Sequence, residues 1–238
     1  RYGNLFSNKQ ILDMYQMVLD KMQEANVDLK LIILTRGGND PKYFAMENKF
    51  LDEITERFSN STQIMAYDLS NEPNLCYGGT CIGLSDAVSQ VNYWYWIVKN
   101  NAPNHLVTIG LSGYGDSWDP ALMTVDFISF HIYPNYPVLN NFNDIASILK
   151  WFSKTISKPW IIGETGLSGT NQTIDRTCLN NNIIVTETEQ KQYADFSYKR
   201  SVDCGASGFS WWTFQDYKYP GMYDECKSKE FLQNFYGL

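Results

Sequence analysis

Apolar residues along this chain alternate between two spacings, a three-to-four-residue repeat and short unbroken runs. Ser7-Asn8-Lys9-Gln10 reads as a capping box, and Ile11, Tyr15, Val18, Leu19 and Met22 then recur at helical spacing. Leu29 to Thr35 is an apolar run of the kind expected for a strand buried on both faces. Asp40-Pro41 pairs an N-cap with proline at the first helical position, and Phe50, Leu51, Ile54 and Phe58 supply that helix's apolar face. A strand follows from Ile64 into Asn71-Glu72-Pro73. Ser85 opens a helix through Val88, Val91 and Ile97, leading to a strand over Leu106 to Gly110. A short helical turn at Asp119-Pro120 precedes a strand over Phe127 to Tyr133. Asp144 to Ile156 is predicted helical, and Pro159 to Glu164 extended. Thr186-Glu187-Thr188-Glu189 is a second capping box, its helix running to Gly205, and Gly208 to Phe214 is the last strand.

Strands that alternate with helices imply a parallel sheet built from right-handed βα units. Two architectures satisfy that pattern, a doubly wound sheet and a (β/α) barrel. No Gly-x-Gly-x-x-Gly or Gly-x-x-x-x-Gly-Lys fingerprint follows any strand, which removes the usual support for a nucleotide-binding doubly wound sheet. The expected fold is therefore α/β, a (β/α)8 TIM barrel in one domain over residues 1–238, with six strands evident. Six strands alone would leave two open edges.

Composition narrows the partners. With 44% hydrophobic residues in 238, the chain can bury a sizeable core, and no apolar run approaches the roughly 18 residues of a membrane span, so it reads as soluble. A net charge of −7 argues against nucleic acid, because phosphate binding needs clustered Lys and Arg. Seven Trp, sixteen Tyr and thirteen Phe mostly serve a core, but such a surplus also suits sugars, whose apolar faces stack on aromatic planes. Cys76 and Cys81 share one Gly-rich loop and are close enough to bridge. Cys178 and Cys226 lie in two loops that share a face if the barrel holds, and Cys204 reads as a buried free thiol. With the sequons Asn60-Ser61-Thr62 and Asn171-Gln172-Thr173, the loop cysteines favour an oxidising, secreted setting.

Residues unusual for strand cores gather where the runs end. These are Arg36, Asn71 with Glu72, His131 with Tyr133, Glu164, and Trp211 with Trp212. In a parallel barrel those ends share the face that carries active sites. His131 and Tyr133, two apart in extended chain, point the same way; Trp211 and Trp212 point oppositely, so at most one faces the mouth. Taken singly, each has a plain explanation: a turn with an exposed acid, a satisfied core histidine, an arginine paired to a loop. Their joint order at strand ends favours a site. A metal centre is disfavoured, since His105 and His131 are far apart and lack ligand spacing.

Asn71-Glu72-Pro73, His131-x-Tyr133, Glu164-Thr165-Gly166 and the Trp-rich last strand together resemble the clan A glycoside hydrolases, with family 5 (cellulase/mannanase-like) the nearest in pattern. The resemblance covers roughly the last three-quarters of an eight-stranded barrel. It implies that the first strand here matches the family's third, so the first two βα units and the end of the last are absent from this sequence. It also implies Glu72 as general acid/base and Glu164 as nucleophile of a retaining glycosidase acting on a β-linked poly- or oligosaccharide. Asn71 would then hold the sugar 2-hydroxyl, Tyr133 would bond the nucleophile, and His131 would contact sugar or carboxylate. Trp212 would lie under the reacting ring, and Arg36 would take over part of the role of an arginine expected on a missing strand. Glu72 is expected to have a raised pKa beside the Glu164 anion. No cofactor, no metal and a monomer are expected. A non-catalytic carbohydrate-binding barrel and a transglycosylase using the same residues are the alternatives.

Overall fold

In the computed structural model, which describes residues 6–35, 43–74, 82–113, 118–133, 143–166 and 187–212, the capping box at Ser7 is formed as its sequence predicts. The Ser7 hydroxyl accepts from the Gln10 amide (3.3 Å), and the Gln10 side chain accepts from the Ser7 amide (2.9 Å). Helix α1, Asn8–Glu24, buries Leu12 and Leu19, with Tyr15 and Met22 half-buried along the same stripe. Val18 is exposed instead, because it sits a hundred degrees around the helix from Leu19.

The chain divides into two compact units, residues 1–111 with 115–128, and residues 112–114 with 129–238. The first unit carries α1, β1 (Leu31–Leu34), α2 (Phe44–Arg57), β2 (Ile64–Asn71), α3 (Leu84–Asn101), most of β3 (Leu106–Ser112) and a 3-10 turn at Pro120–Leu122. The second carries most of β4 (Ile128–His131), α4 (Asn143–Thr155), β5 (Trp160–Glu164), α5 (Glu187–Asp203) and β6 (Gly208–Phe209). Within each unit the strands are neighbours in chain order, β1-β2-β3 and β4-β5-β6, and the β1–β2, β2–β3 and β5–β6 pairings are parallel.

The first unit's core forms where α2 and α3 cover β2 and β3. Leu51, Ile54, Val91, Trp94 and Val98 from the helices meet Tyr67, Leu69 and Ile109, all inaccessible to solvent. Trp94 sets its ring edge-on to Phe44, 5.7 Å between centroids, and donates its indole N–H to Asn48 Oδ1 (2.8 Å). Asp126 closes the start of β3: its Oδ2 accepts from the Val107 amide (2.8 Å) and lies 2.8 Å from Lys99 Nζ.

Two strands differ from their sequence pattern. The run Leu29 to Thr35 was expected to be buried on both faces, yet β1 is only Leu31–Leu34, with Ile33 buried and Leu29, Ile32 and Leu34 exposed. As the end strand of its unit's order, β1 pairs only with β2 among the described residues, and apolar character alone does not bring a second covering layer. Of the last strand, expected over Gly208 to Phe214, the described residues 208–212 pair through Gly208 and Phe209 alone, and Thr213 and Phe214 lie outside the described residues. Asp40-Pro41 and Thr186 also lie outside them, and none of the described helices is long and apolar enough to cross a membrane.

Tyr67 on β2 is fully buried against His105, with ring centroids 5.5 Å apart, and its hydroxyl has no hydrogen-bond partner among the described residues. Burial pushes its phenol above the usual value of 10.0. A phenol whose folded pKa is raised contributes stability that is whole below pH 10 and is lost as the pH climbs beyond it. Tyr67→Phe is therefore expected to raise the thermal midpoint at neutral pH, by an amount equivalent to about 1 kcal/mol, and to soften the alkaline decline above about pH 10. A lower midpoint, or an alkaline limb unchanged from the parent in calorimetry, would contradict this account.

Candidate active site

In the second unit, α4 sets the depth of the two strands that carry candidate residues. Phe152 of α4 stacks on Phe130 of β4 (centroids 3.8 Å, planes 14° apart), and Trp160 of β5 meets both rings edge-on. All four β4 residues are buried, and alternation along the strand puts Ser129 and His131 on the face opposite Phe130. Across on β5, Gly163 occupies the place where a side chain would collide: a Cβ there would lie 1.8 Å from Ser129 Oγ and 3.4 Å from His131 Cδ2. Glycine thus allows β4 and β5 the close approach that brings His131 beside Glu164.

Glu164 ends β5 half-buried. Its Oε2 accepts a hydrogen bond from the Tyr133 hydroxyl (2.8 Å), and His131 Nδ1 stands 3.6 Å from the same oxygen. That separation is too long for a hydrogen bond, and becomes an ion pair only when the imidazole is protonated. The backbone is fixed on both sides: the Ile132 amide donates to the Glu164 carbonyl (2.8 Å), and the Gly113 amide to the His131 carbonyl (3.0 Å). Tyr133 lies past the end of β4, not within it as the sequence predicts, yet its hydroxyl reaches the carboxylate as the family resemblance implies.

A brace follows Glu164. Thr165 is buried with its hydroxyl on the Tyr193 hydroxyl (2.7 Å), and its carbonyl accepts from the Trp212 amide (2.8 Å). A Cβ on Gly166 would come 2.3 Å from the Trp212 carbonyl oxygen, so this approach also requires glycine. Trp211 packs on Tyr193 (centroids 5.9 Å), while Trp212 is 52% exposed, so the two adjacent indoles have different surroundings.

The first unit holds the other acid. Asn71 is the last residue of β2 and pairs with Gly110 of β3. Glu72 follows, half-buried, with a left-handed φ of 49° and its amide donating to the Gly110 carbonyl (2.8 Å). His105, the second histidine, is buried in the same unit with Nε2 3.0 Å from the Ser61 carbonyl oxygen, the behaviour of a core histidine. Arg36, Cys76, Cys81, Cys178, Cys226 and Asn171 lie outside the described residues; Cys204 is a half-buried free thiol and Asn60 of the first sequon is exposed. The sequence reading missed Ser129, Gly163, Thr165 and Tyr193. Their signal was present, as small or hydroxyl residues inside or just past otherwise apolar strands and one tyrosine on a helix's buried stripe.

The cellulase (glycosyl hydrolase family 5) profile matches residues 7–215. The chain belongs to that family. Among relatives, mannan endo-1,4-beta-mannosidase A of Hypocrea jecorina is 33% identical over 124 residues, 42% of this chain and 27% of that protein. Probable mannan endo-1,4-beta-mannosidase A-1 of Aspergillus terreus is 26% identical over 190 residues, covering 67% of this chain and 48% of that protein. The family 5 chain thus matches less than half the length of either relative. Among solved structures, a Bifidobacterium dentium beta-glucuronidase aligns with a TM-score of 0.60 at 17% identity, over 80% of this chain and 31% of that one. A Ruminococcus gnavus beta-glucuronidase aligns at 0.57 and 17% identity, over 79% of this chain and 33% of that one. These likenesses concern fold: a TIM-type (β/α)8 barrel, of which six strands lie among the described residues.

The close approach at Gly163 carries its own test. Gly163→Ala is expected to lower the thermal midpoint by the equivalent of about 1–3 kcal/mol, as overpacking does. Pairing it with Ser129→Ala, which removes the 1.8 Å collision, should recover part of that loss in a double-mutant cycle. Strict additivity of the two substitutions would show that the contact does not govern the strand spacing.

Proposed function

We propose that this family 5 chain carries the catalytic machinery of a retaining glycoside hydrolase, with Glu164 as nucleophile and Glu72 as general acid/base. The observation that carries the reading is the Tyr133 hydroxyl donating to Glu164 Oε2 at 2.8 Å, which holds one carboxylate oriented. Glu72, at the tip of another parallel strand, is assigned as the second acid that the mechanism needs; a retaining mechanism requires its two carboxyl groups to come within about 5–5.5 Å of each other.

The chemistry runs in two displacements. Glu72 gives its proton to the glycosidic oxygen while a Glu164 oxygen attacks the anomeric carbon. The bond to the leaving sugar breaks, and a glycosyl ester forms on Glu164. Glu72, now a carboxylate, takes a proton from water as that water's oxygen attacks the anomeric carbon; the ester breaks and the Glu164 carboxylate returns. The Tyr133 hydroxyl bonds the carboxylate that departs in this second step. Asn71 is assigned to the sugar 2-hydroxyl, His131 to the Glu164 side of the site, and the half-exposed Trp212 indole to the apolar face of the reacting ring. Arg36 is proposed as a further sugar contact.

The relatives' names make β-1,4-linked mannan the substrate to try first, and an extracellular setting fits a polymer of that size. Glu164→Gln and Glu72→Gln should each lower kcat on mannan oligosaccharides by about 10²-fold or more. NMR of the first product should show retained anomeric configuration, and a chelator should leave turnover unchanged. An inverted first product, or full turnover in either variant, would remove the assignment. Binding of the oligosaccharide without turnover by the unaltered protein would favour a carbohydrate-binding barrel.

A further inference from the structure

We propose that Asp68, inside β2, is a positioning residue for Glu72, acting through a bulge between β2 and β3; the inference rests on Glu72 being the acid/base. The pairing of these strands is regular through Ala66↔Leu106, Tyr67↔Val107 and Asp68↔Thr108, and the next pair is Asn71↔Gly110. From Asp68 to Asn71 is three steps, while from Thr108 to Gly110 is two, so β2 carries one extra residue. With a side-chain period of two, one extra residue turns everything beyond it to the other face of the sheet. The residues beyond it are Asn71 and Glu72.

An extra residue leaves ladder groups to be satisfied, and the Asp68 carboxylate satisfies them. Its Oδ1 accepts from the Gly110 amide (3.0 Å) and from the Ser70 amide (3.2 Å). The same Gly110 then accepts from the Glu72 amide through its carbonyl (2.8 Å). Gly110 is therefore held on its N–H by Asp68, and on its C=O it holds Glu72 in a left-handed backbone (φ 49°). Asp68's own carbonyl accepts both the amide and the hydroxyl of Thr35 (2.9 Å each), which ties the bulge to the end of β1.

Burial makes the choice of residue informative. Asp68 is 9% exposed within a parallel strand, a position where valine or isoleucine is ordinary and an acid is costly unless hydrogen-bonded. Leucine or alanine there would leave the Gly110 and Ser70 amides without the acceptor that shapes the bulge. Asparagine would keep one, because both bonds converge on a single oxygen.

The test compares Asp68→Ala and Asp68→Asn with Glu72→Gln on two substrates, a mannan oligosaccharide and dinitrophenyl β-mannobioside, whose leaving group needs no proton. Asp68→Ala should lower kcat on the oligosaccharide about 10²-fold with KM little changed. The burst of dinitrophenolate should fall less than about tenfold, and azide, which attacks the glycosyl-enzyme without a base, should raise its steady-state rate. Asp68→Asn should keep kcat on the oligosaccharide within about tenfold of the parent. Equal losses on both substrates in Asp68→Ala, or an Asp68→Asn variant as impaired as the alanine one, would overturn the proposal. If the alanine variant does not fold, folded Asp68→Asn decides by the same threshold. Full turnover in Glu72→Gln defeats the acid/base reading itself; loss in Glu72→Gln with parental behaviour in Asp68→Ala defeats only the role of Asp68.

Discussion

Hydrogen bonds that continue past the last regular pair of each parallel ladder hold the candidate residues of this protein. The Glu72 amide reaches the Gly110 carbonyl, Ile132 reaches Glu164, Gly113 reaches His131, and Trp212 reaches Thr165, all between 2.8 and 3.0 Å. A strand tip normally frays into a loop, because its amides lose their partners. Here each tip is pinned by a neighbouring strand, so a side chain beside it has a fixed origin from which few rotamers remain. Preorganisation of this kind is what separates a reactive carboxylate from a merely exposed one.

Behind the tips, packing does the supporting work. Part of the aromatic surplus builds core: Trp94 on Phe44, Phe130 on Phe152 and Trp160, Tyr193 on Trp211. Large rigid rings with few rotamers lose little entropy on burial and transmit position well. Glycines complete the arrangement by absence. Gly163 and Gly166 stand where the backbone of one strand end comes too near its neighbour for any Cβ, which turns two apparently featureless positions into the determinants of spacing at Glu164.

The sequence made the element order and the capping box at Ser7 legible, because each depends on local spacing, while the meeting of Tyr133 with Glu164 was implied only by the family resemblance. It misjudged β1, where Leu31–Leu34 offered only apolar character, and character does not say how many layers pack on a strand. It also overextended the last strand, since Trp211 and Trp212 have strand-like propensity but Trp212 is held through Thr165's carbonyl after regular pairing has ended. The bulge at Asp68 was invisible for a different reason. A register shift is a relation between two strands, and nothing in β2's own residues counts the residues of β3.

The backbone at Glu72 has an evolutionary consequence. A residue other than glycine at φ 49° carries backbone strain on the order of 1 kcal/mol or more, which glycine at the same place would not carry. In backbone strain alone, the turn favours versions in which the acid has been replaced. Selection for thermal tolerance alone would drift toward glycine or asparagine at that position, so stabilised descendants of this chain have to be screened for turnover at the same time.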